Sequence, residues 1–360
     1  MGDVVEDTVT AFGRELPHRP GYLNTASIGV PPLCASAAVA EVVRRWAEAD
    51  TAPADFDADV ETARAGFAAI TGVPVGDVAQ GATASGLIGP LAASVPDGTR
   101  VLVAAGEFSS VTRPFAAQAH RGVRVTEAPL EELAAQAGGH DLVAVSAVQS
   151  ADGRLADLGA LRAARERHGV RLLLDVTQAA GWLPLRDARA DAVVGAGYKW
   201  LLGPRGTAWL AQRPSWVEGP PGGQRWPEVV RHGAGWYGAR DRWGGGLYTP
   251  DPPARPGPAG AEEAPVWIAH AGSAVTVPWL ASLDPAALRA HCAGLADDLR
   301  ERLGMAPTGS AIVSVRADGA AGKLAAAGIR AAVRDGAARL SFHLANTPDD
   351  VDLAVRALRS

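Results

Sequence analysis

The chain has 360 residues, 48% of them hydrophobic, and a formal net charge of -5, so it can bury a large core and has no basic excess for nucleic acid or an anionic membrane. Its two cysteines, Cys34 and Cys292, form no CxxC and cannot build a disulfide framework, which makes a reducing cytoplasm the expected setting. The basic residues are almost all arginine: Lys199 and Lys323 are the two lysines.

Met1-Gly-Asp-Val-Val-Glu-Asp7 opens the chain with acidic residues and lacks the basic start and apolar stretch of a signal peptide, and Glu6 breaks the myristoylation pattern. No apolar run approaches the length of a membrane span. Short aliphatic runs at 101–105, 142–148, 171–175 and 192–194 read as strands. Between them lie alanine- and arginine-rich helical stretches. In 155–169, Leu158, Leu161 and Ala164 recur at helical spacing and Gly169 ends the helix. This βαβ punctuation predicts an α/β fold with a mainly parallel sheet covered by helices. From 215 to 265 proline, glycine and tryptophan replace any periodicity, and such long irregular segments are often functional. A helical stretch after Trp279, strands at 310–315, 329–333 and 338–342, and a last helix from Pro348 predict a smaller α+β unit. The expected division is an N-terminal arm (1–30), a large α/β domain (31–270) and a small C-terminal domain (271–360). There is no internal repeat and no coiled-coil heptad.

Lys199 stands in Gly195-Ala-Gly-Tyr-Lys-Trp-Leu-Leu-Gly-Pro-Arg-Gly206, just after a predicted buried strand. In a chain that avoids lysine, a lysine there points to its amine, since arginine neither gives up its proton nor forms an imine. A surface lysine is the plain alternative. Asp175 ends another strand, where an open α/β sheet places ligand groups, although an aspartate there can equally cap a helix. One helix-sized connection and one strand separate it from Lys199, so the two can share a crevice. A lysine and an aspartate converging in this way suit pyridoxal 5'-phosphate (PLP): the lysine forms the imine and the carboxylate keeps the pyridine nitrogen protonated. Gln178 is placed to bond the ring's phenolic oxygen. Gln80-Gly-Ala-Thr-Ala-Ser-Gly-Leu87 opens a predicted helix with small residues and can receive the phosphate on its backbone N–H groups, a weak signal by itself because any Thr or Ser cap resembles it.

In this order the motifs resemble the class V aminotransferase and cysteine desulfurase group of fold-type I PLP enzymes. Tyr22-Leu-Asn-Thr-Ala-Ser27 is similar to the family's opening strand, Gly81-Ala-Thr83 to its phosphate turn, and Val145 to Gly153 to the segment at the phenolic oxygen. Asp175 to Gln178 resembles its Asp-x-x-Gln, Gly197-Tyr-Lys-Trp its lysine motif, and Arg339-Leu-Ser-Phe-His-Leu-Ala-Asn-Thr347 its carboxylate-binding arginine segment. The resemblance implies a mainly parallel seven-stranded sheet of the aspartate aminotransferase-like type, a homodimer, and an α-amino acid as substrate. It places the cofactor on Lys199, Asp175, Gln178, Ala82, Thr83, Phe108 and either Ser150 or Gln149, and the substrate on Arg339, Asn24 and Ala26. Phe108 stands where many members stack a histidine, so it can stack but cannot transfer protons. Ala196 and Tyr198 replace the serine and histidine usual before the lysine, which leaves more of the phosphate to Thr83. Gly235-Trp-Tyr-Gly238 resembles a kynureninase segment and implies a contact of Trp236 with the partner's cofactor.

The other ionisable groups read as structural. His18, His120, His140 and His168 show no metal-ligand spacing, and no metal site is expected. His343 is a site candidate, Glu262-Glu263 a solvated pair, and a surface pairing of Arg339 with Asp349 or Asp350 the plain alternative to its binding role. The expected activity is an aminotransferase acting through a lysine aldimine and α-proton abstraction. A Cβ–S lyase, or another eliminating enzyme, or an epimerase is the alternative. A persulfide-forming desulfurase lacks support because 332–338, ahead of the arginine motif, has no cysteine, and a non-catalytic cofactor binder is disfavoured by the presence of Lys199, Asp175 and Arg339 together.

Overall fold

A computed structural model describes residues 7–220, 223–245 and 247–360; the acidic first six residues, read above for targeting signals, lie outside them. The strands in chain order are β1 (Thr8–Ala11), β2 (Arg14–Pro17), β3 (Val78–Gly81), β4 (Arg100–Ala104), β5 (Arg124–Ala128), β6 (Leu142–Ser146), β7 (Arg171–Asp175), β8 (Ala192–Ala196), β9 (Ala208–Gln212), β10 (Ile312–Val315), β11 (Ala332–Arg334) and β12 (Ala337–Ser341). The helices are α1 (Leu33–Ala47), α2 (Asp57–Thr71), α3 (Ala84–Ser94), α4 (Ser109–Ala116), α5 (Leu133–Gln136), α6 (Leu158–His168), α7 (Ser215–Glu218), α8 (Trp267–Ser282), α9 (Pro285–Arg302), α10 (Ala320–Ala326) and α11 (Pro348–Arg359).

Strands β6, β7 and β8 are buried at every position, as expected for a sheet covered on both faces. Alternation divides their side chains between two cores: Val143, Val145, Leu172 and Leu174 face one, Leu142, Ala144 and Leu173 the other. The sheet runs β3-β9-β8-β7-β6-β4-β5, with β9 antiparallel to both neighbours and the pairs from β8 to β5 parallel. The expected α/β fold with a mostly parallel seven-stranded sheet is therefore present. Because those strands share one direction, the loops after β3, β4, β6, β7 and β8 emerge along one edge.

A second sheet, β10-β12-β11, is antiparallel and packs with α9, α10 and α11 around Leu299, Val313, Leu340, Phe342 and Val351. Helix α11 follows Thr347, whose N donates to Asp350 Oδ2 at 3.0 Å, and has Pro348 in its first turn, where the missing N–H of proline costs nothing. Among the described residues no helix is long and apolar enough to cross a membrane.

Several local expectations change. Strands β3, β5 and β9 had no sequence reading; β3 and β9 are short and rich in alanine, glycine and glutamine, and their buried places come from tertiary pairing rather than β propensity. The run 329–333 contributes only its end to β11, while Ile329 packs into the small-sheet core. The segment 22–27 is not a strand: it makes single bridges from Tyr22 to Arg330 and from Asn24 to Ser341, then turns where Ser27 N and Ile28 N bond Asn24 O.

The described residues of 215–265 are irregular apart from α7 and short 3-10 turns. Trp216, Trp226 and Tyr237 pack inward, whereas Trp243 and Tyr248 are exposed; Trp216 and Trp226 meet edge to face at 5.2 Å, and the Arg171 guanidinium lies 4.0 Å from the Trp226 ring centroid. Glu262 corrects the reading of a solvated pair. It is fully buried, pairs with Arg64 and, at 3.0 Å, with Arg255, and accepts from Gln80 N at 2.9 Å. That carboxylate anchors β3 through charge-assisted bonds, so removing it would strand a buried arginine. Glu263 is exposed as expected.

Candidate active site

Lys199 is carried off the sheet edge by a tight loop after β8. Gly197 N donates to Thr207 O at 2.8 Å and Gly203 N to Gly197 O at 2.9 Å, which closes that loop. The N-terminal segment presses on it from outside: Gly29 N donates to Tyr198 O at 2.9 Å, and a Cβ on Gly29 would lie 1.9 Å from the backbone oxygen of Lys199. Only glycine allows this approach, so Gly29 sets the height of the lysine, and nothing in its local sequence announces that. The Lys199 side chain is buried, with Nζ 5.6 Å from the ring centroids of both Phe108 and Tyr198. Burial is the main reason its pKa falls to about 8, against the pull of Asp175 and with help from Arg339.

Asp175 ends β7, buried, with Oδ1 accepting from Thr177 N at 2.7 Å. Burial raises its pKa above the usual carboxylate range; the Thr177 hydrogen bond and the nearby Lys199 act in the opposite direction. Asp175, Lys199, Thr83, Phe108 and Ser150 line one cleft of about 340 Å³. Ala82 lines it too, beside the start of α3. There Thr83 caps the helix by accepting from Gly86 N at 3.0 Å, so the small residues do form a helix N-terminus facing the cleft.

The two candidates for the phenolic oxygen part company. Ser150 lines the cleft, whereas Gln149 is buried behind it and donates to Glu107 Oε2 at 3.0 Å. Gln178 is held on three sides: its Nε2 donates to Ala26 O and to Ser150 Oγ, each at 3.1 Å, and its Oε1 accepts from Trp200 Nε1 at 2.7 Å. Glu107, given no role from sequence, accepts from Ser146 N at 2.8 Å and Ser146 Oγ at 2.6 Å, which ties the loop after β4 to the end of β6 and sets Phe108 over the cleft.

A second lobe of about 610 Å³ opens beside the first and shares Phe108, Ser150, Tyr198, Lys199 and Arg205 with it. Its remaining wall includes Ala26, Ser27, Gly29, Arg334 and Arg339. Arg339 is 1% exposed and has no acidic partner among the described residues, so its surface pairing with Asp349 or Asp350 is ruled out. Nη1 donates to Ser150 O at 2.5 Å, Nη2 donates to Ser27 Oγ at 2.9 Å, and Nε is buried without a partner. Burial lowers its pKa to about 10, and Arg334 contributes, which leaves it charged at neutral pH.

Three candidates lie elsewhere. Asn24 lines neither lobe; its backbone closes the turn that delivers Ala26 and Ser27. His343 is buried edge-on against Trp200 at 5.3 Å and borders a different cavity. Trp236 packs against Tyr237 and Trp243, with centroids 5.3 and 4.8 Å away, outside both lobes of its own chain. Neither cysteine lines the site: Cys292 is fully buried, with its thiol pushed above the ordinary range by that burial, and Cys34 is half-buried on α1.

The family model described as aminotransferase class-V matches residues 36–254. Among solved structures, the cysteine desulfurase CsdA of Escherichia coli aligns at 19% identity with a TM-score of 0.75, covering 94% of each chain. A mutant of C-DES with glycine covalently linked to its PLP cofactor aligns at 19% identity and a TM-score of 0.79, covering 94% of this chain and 96% of that one. The cystine C–S lyase C-DES in complex with its product cysteine persulfide gives 19% and 0.79, covering 94% and 97%. Comparison with curated protein sequences gives no match.

Proposed function

Because the chain belongs to the class V aminotransferase family of PLP-dependent fold-type I enzymes, we propose that it acts on an α-amino acid by removing the α-proton, as an aminotransferase. The observation that carries this reading is the pairing of Lys199 and Arg339, two buried cations facing one cavity, the second without an acid to neutralise it. A buried guanidinium in that state calls for a carboxylate, and a buried amine of lowered pKa beside it can accept a proton.

The donor set fits PLP. Lys199 would hold it covalently, Asp175 would keep the pyridine nitrogen protonated, and the first turn of α3 from Thr83 would receive the phosphate. Bound PLP supplies an electron sink for the charge left on the α-carbon. Phe108, held by the Glu107 loop, covers the cleft and keeps water from it. Arg339, braced by Ser150 and Ser27, orients the substrate carboxylate and so aims the α-C–H at Lys199 Nζ. Among the described residues no Asp, Glu or His lines the second lobe, so Lys199 is the base for both removal and return of the proton.

That same scarcity of acids favours a second reading, elimination of a sulfur leaving group from Cβ, because a thiolate leaves without a proton donor. The likeness to a cystine C–S lyase agrees with it. A persulfide relay through cysteine has no thiol to use in either lobe. Adding amino acids singly to the holoenzyme while recording its visible spectrum decides between the readings. Conversion of the cofactor to its amine form marks transamination, and release of an α-keto acid with ammonia marks elimination. No response to any α-amino acid would refute both.

We further propose a homodimer, because Ile28 and Phe108, 60% and 45% exposed, ring the second lobe with apolar surface that a partner subunit would cover. Light scattering of active enzyme at micromolar concentration that gave a monomer mass would exclude it.

A further inference from the structure

Taking the second lobe as the seat of an α-amino acid, we propose that the substrate carries a second anionic group and that Arg334 selects it. The lobe is lined by Lys199, Arg205, Arg334 and Arg339 and, among the described residues, by no carboxylate, although the whole chain is acidic at -5. Such a surplus of one sign concentrates anions of the opposite one.

Arg334 is placed by register. Across the β11–β12 ladder Ala332 faces Arg339, and Arg334 stands two residues further along β11. The twofold period puts Arg334 and Arg339 on the same side of the sheet as diagonal neighbours. Two guanidinium groups so placed repel, and the charge of Arg334 contributes to the lowered pKa of Arg339. The side chain of Arg334 donates to the backbone oxygen of Val333 at 2.8 Å and pairs with no described acid. Its neighbour Asp335 is taken by Arg316 at 2.6 Å. Arg339 accounts for one carboxylate. Arg205 lines both lobes, with its guanidinium carbon 5.2 Å from the Tyr198 ring centroid, and so belongs partly to the cofactor cleft. Arg334 lines the second lobe alone, in a space of about 610 Å³ that exceeds what a small amino acid fills.

Unreactive acids separate binding from chemistry. Titration calorimetry of the holoenzyme at fixed ionic strength would compare butyrate with succinate, glutarate and adipate. At least one dicarboxylate is expected to bind about tenfold or more tighter than butyrate, the advantage of one further charge-assisted contact. Arg334→Gln should reduce that acid to the affinity of butyrate, and with Arg334 exposed on a short edge strand the variant should keep the far-UV and cofactor spectra of the parent. Dicarboxylates no tighter than butyrate, or a preference that survives Arg334→Gln and disappears in Arg205→Gln, would overturn the proposal. Butyrate that binds the parent and not Arg339→Gln upholds the α-carboxylate reading in either event. Failure of every acid to bind would overturn both.

Discussion

Arg339 Nη1 donates to the backbone oxygen of Ser150 at 2.5 Å, joining the middle strand of the small sheet to the loop after β6 across 189 residues of chain. Lys199 stands on the large sheet and Arg339 on the small one, so the cavity between them depends on the docking of the two. Nε of Arg339 is buried without a partner. Its consequences, and those of the residues around it, can be measured.

Borohydride reduction of the holoenzyme followed by peptide mapping is expected to place the cofactor on Lys199. Label on Lys323, which lies on α10 away from both lobes, would end the assignment.

The apoprotein gives a pH signature of the same lysine. With a pKa of about 8 instead of 10.5, Lys199 should react with an amine-acylating reagent with a midpoint near pH 8. Folding here lowers the pKa, so the unfolded chain binds more protons between the two values. The apoprotein should therefore gain stability relative to Lys199→Met as pH rises through roughly 8 to 10.5. A midpoint at the ordinary lysine value would contradict the burial argument.

Asp175→Asn keeps the shape of the side chain and removes its charge. Cofactor should still attach to Lys199, while kcat falls by about a hundredfold or more, on the order of 3 kcal/mol of lost electrostatic stabilisation. Near-parental turnover would show that Asp175 does not hold the pyridine nitrogen.

Arg339→Lys should retain fold and cofactor spectrum yet weaken amino-acid binding by roughly tenfold or more, because an ammonium cannot offer two parallel donors. Stopped-flow titration with a responsive amino acid and with its decarboxylated amine separates the effect. Equal losses with both would mean that the carboxylate is bound elsewhere.

Gly29→Ala puts a methyl group against the backbone oxygen of Lys199. Overpacking of this kind costs about 1–3 kcal/mol, so the melting temperature should drop by several degrees. Cofactor affinity should fall with it, as measured by fluorescence titration. Unchanged melting temperature and affinity would show that the loop after β8 can move aside.

The local sequence determined the elements that rest on short-range regularities: apolar runs long enough for β4, β6, β7 and β8, the helical period and Gly169 stop of α6, and a solitary lysine after a buried strand. These carry the fold class, since an aliphatic strand buried on both faces needs helices on both sides. Asp175 was legible as the last residue of such a strand and Thr83 as the opening of a helix, whereas Phe108 was placed only by the family resemblance. What the sequence did not carry was any contact made across the chain. Ser150 rather than Gln149 enters the cleft because Glu107, on another loop, captures Gln149. Glu262 is buried because Arg64 and Arg255, distant or unremarkable in sequence, meet it there. Gly29 is required by a backbone oxygen 170 positions away. The charge of the second lobe is likewise a tertiary product, since Arg205, Arg334 and Arg339 converge only when the small sheet docks against the large one. Hydrophobic periodicity is written along the chain, whereas hydrogen-bond partners and close approaches are set by geometry between segments, and the site is made almost entirely of the latter.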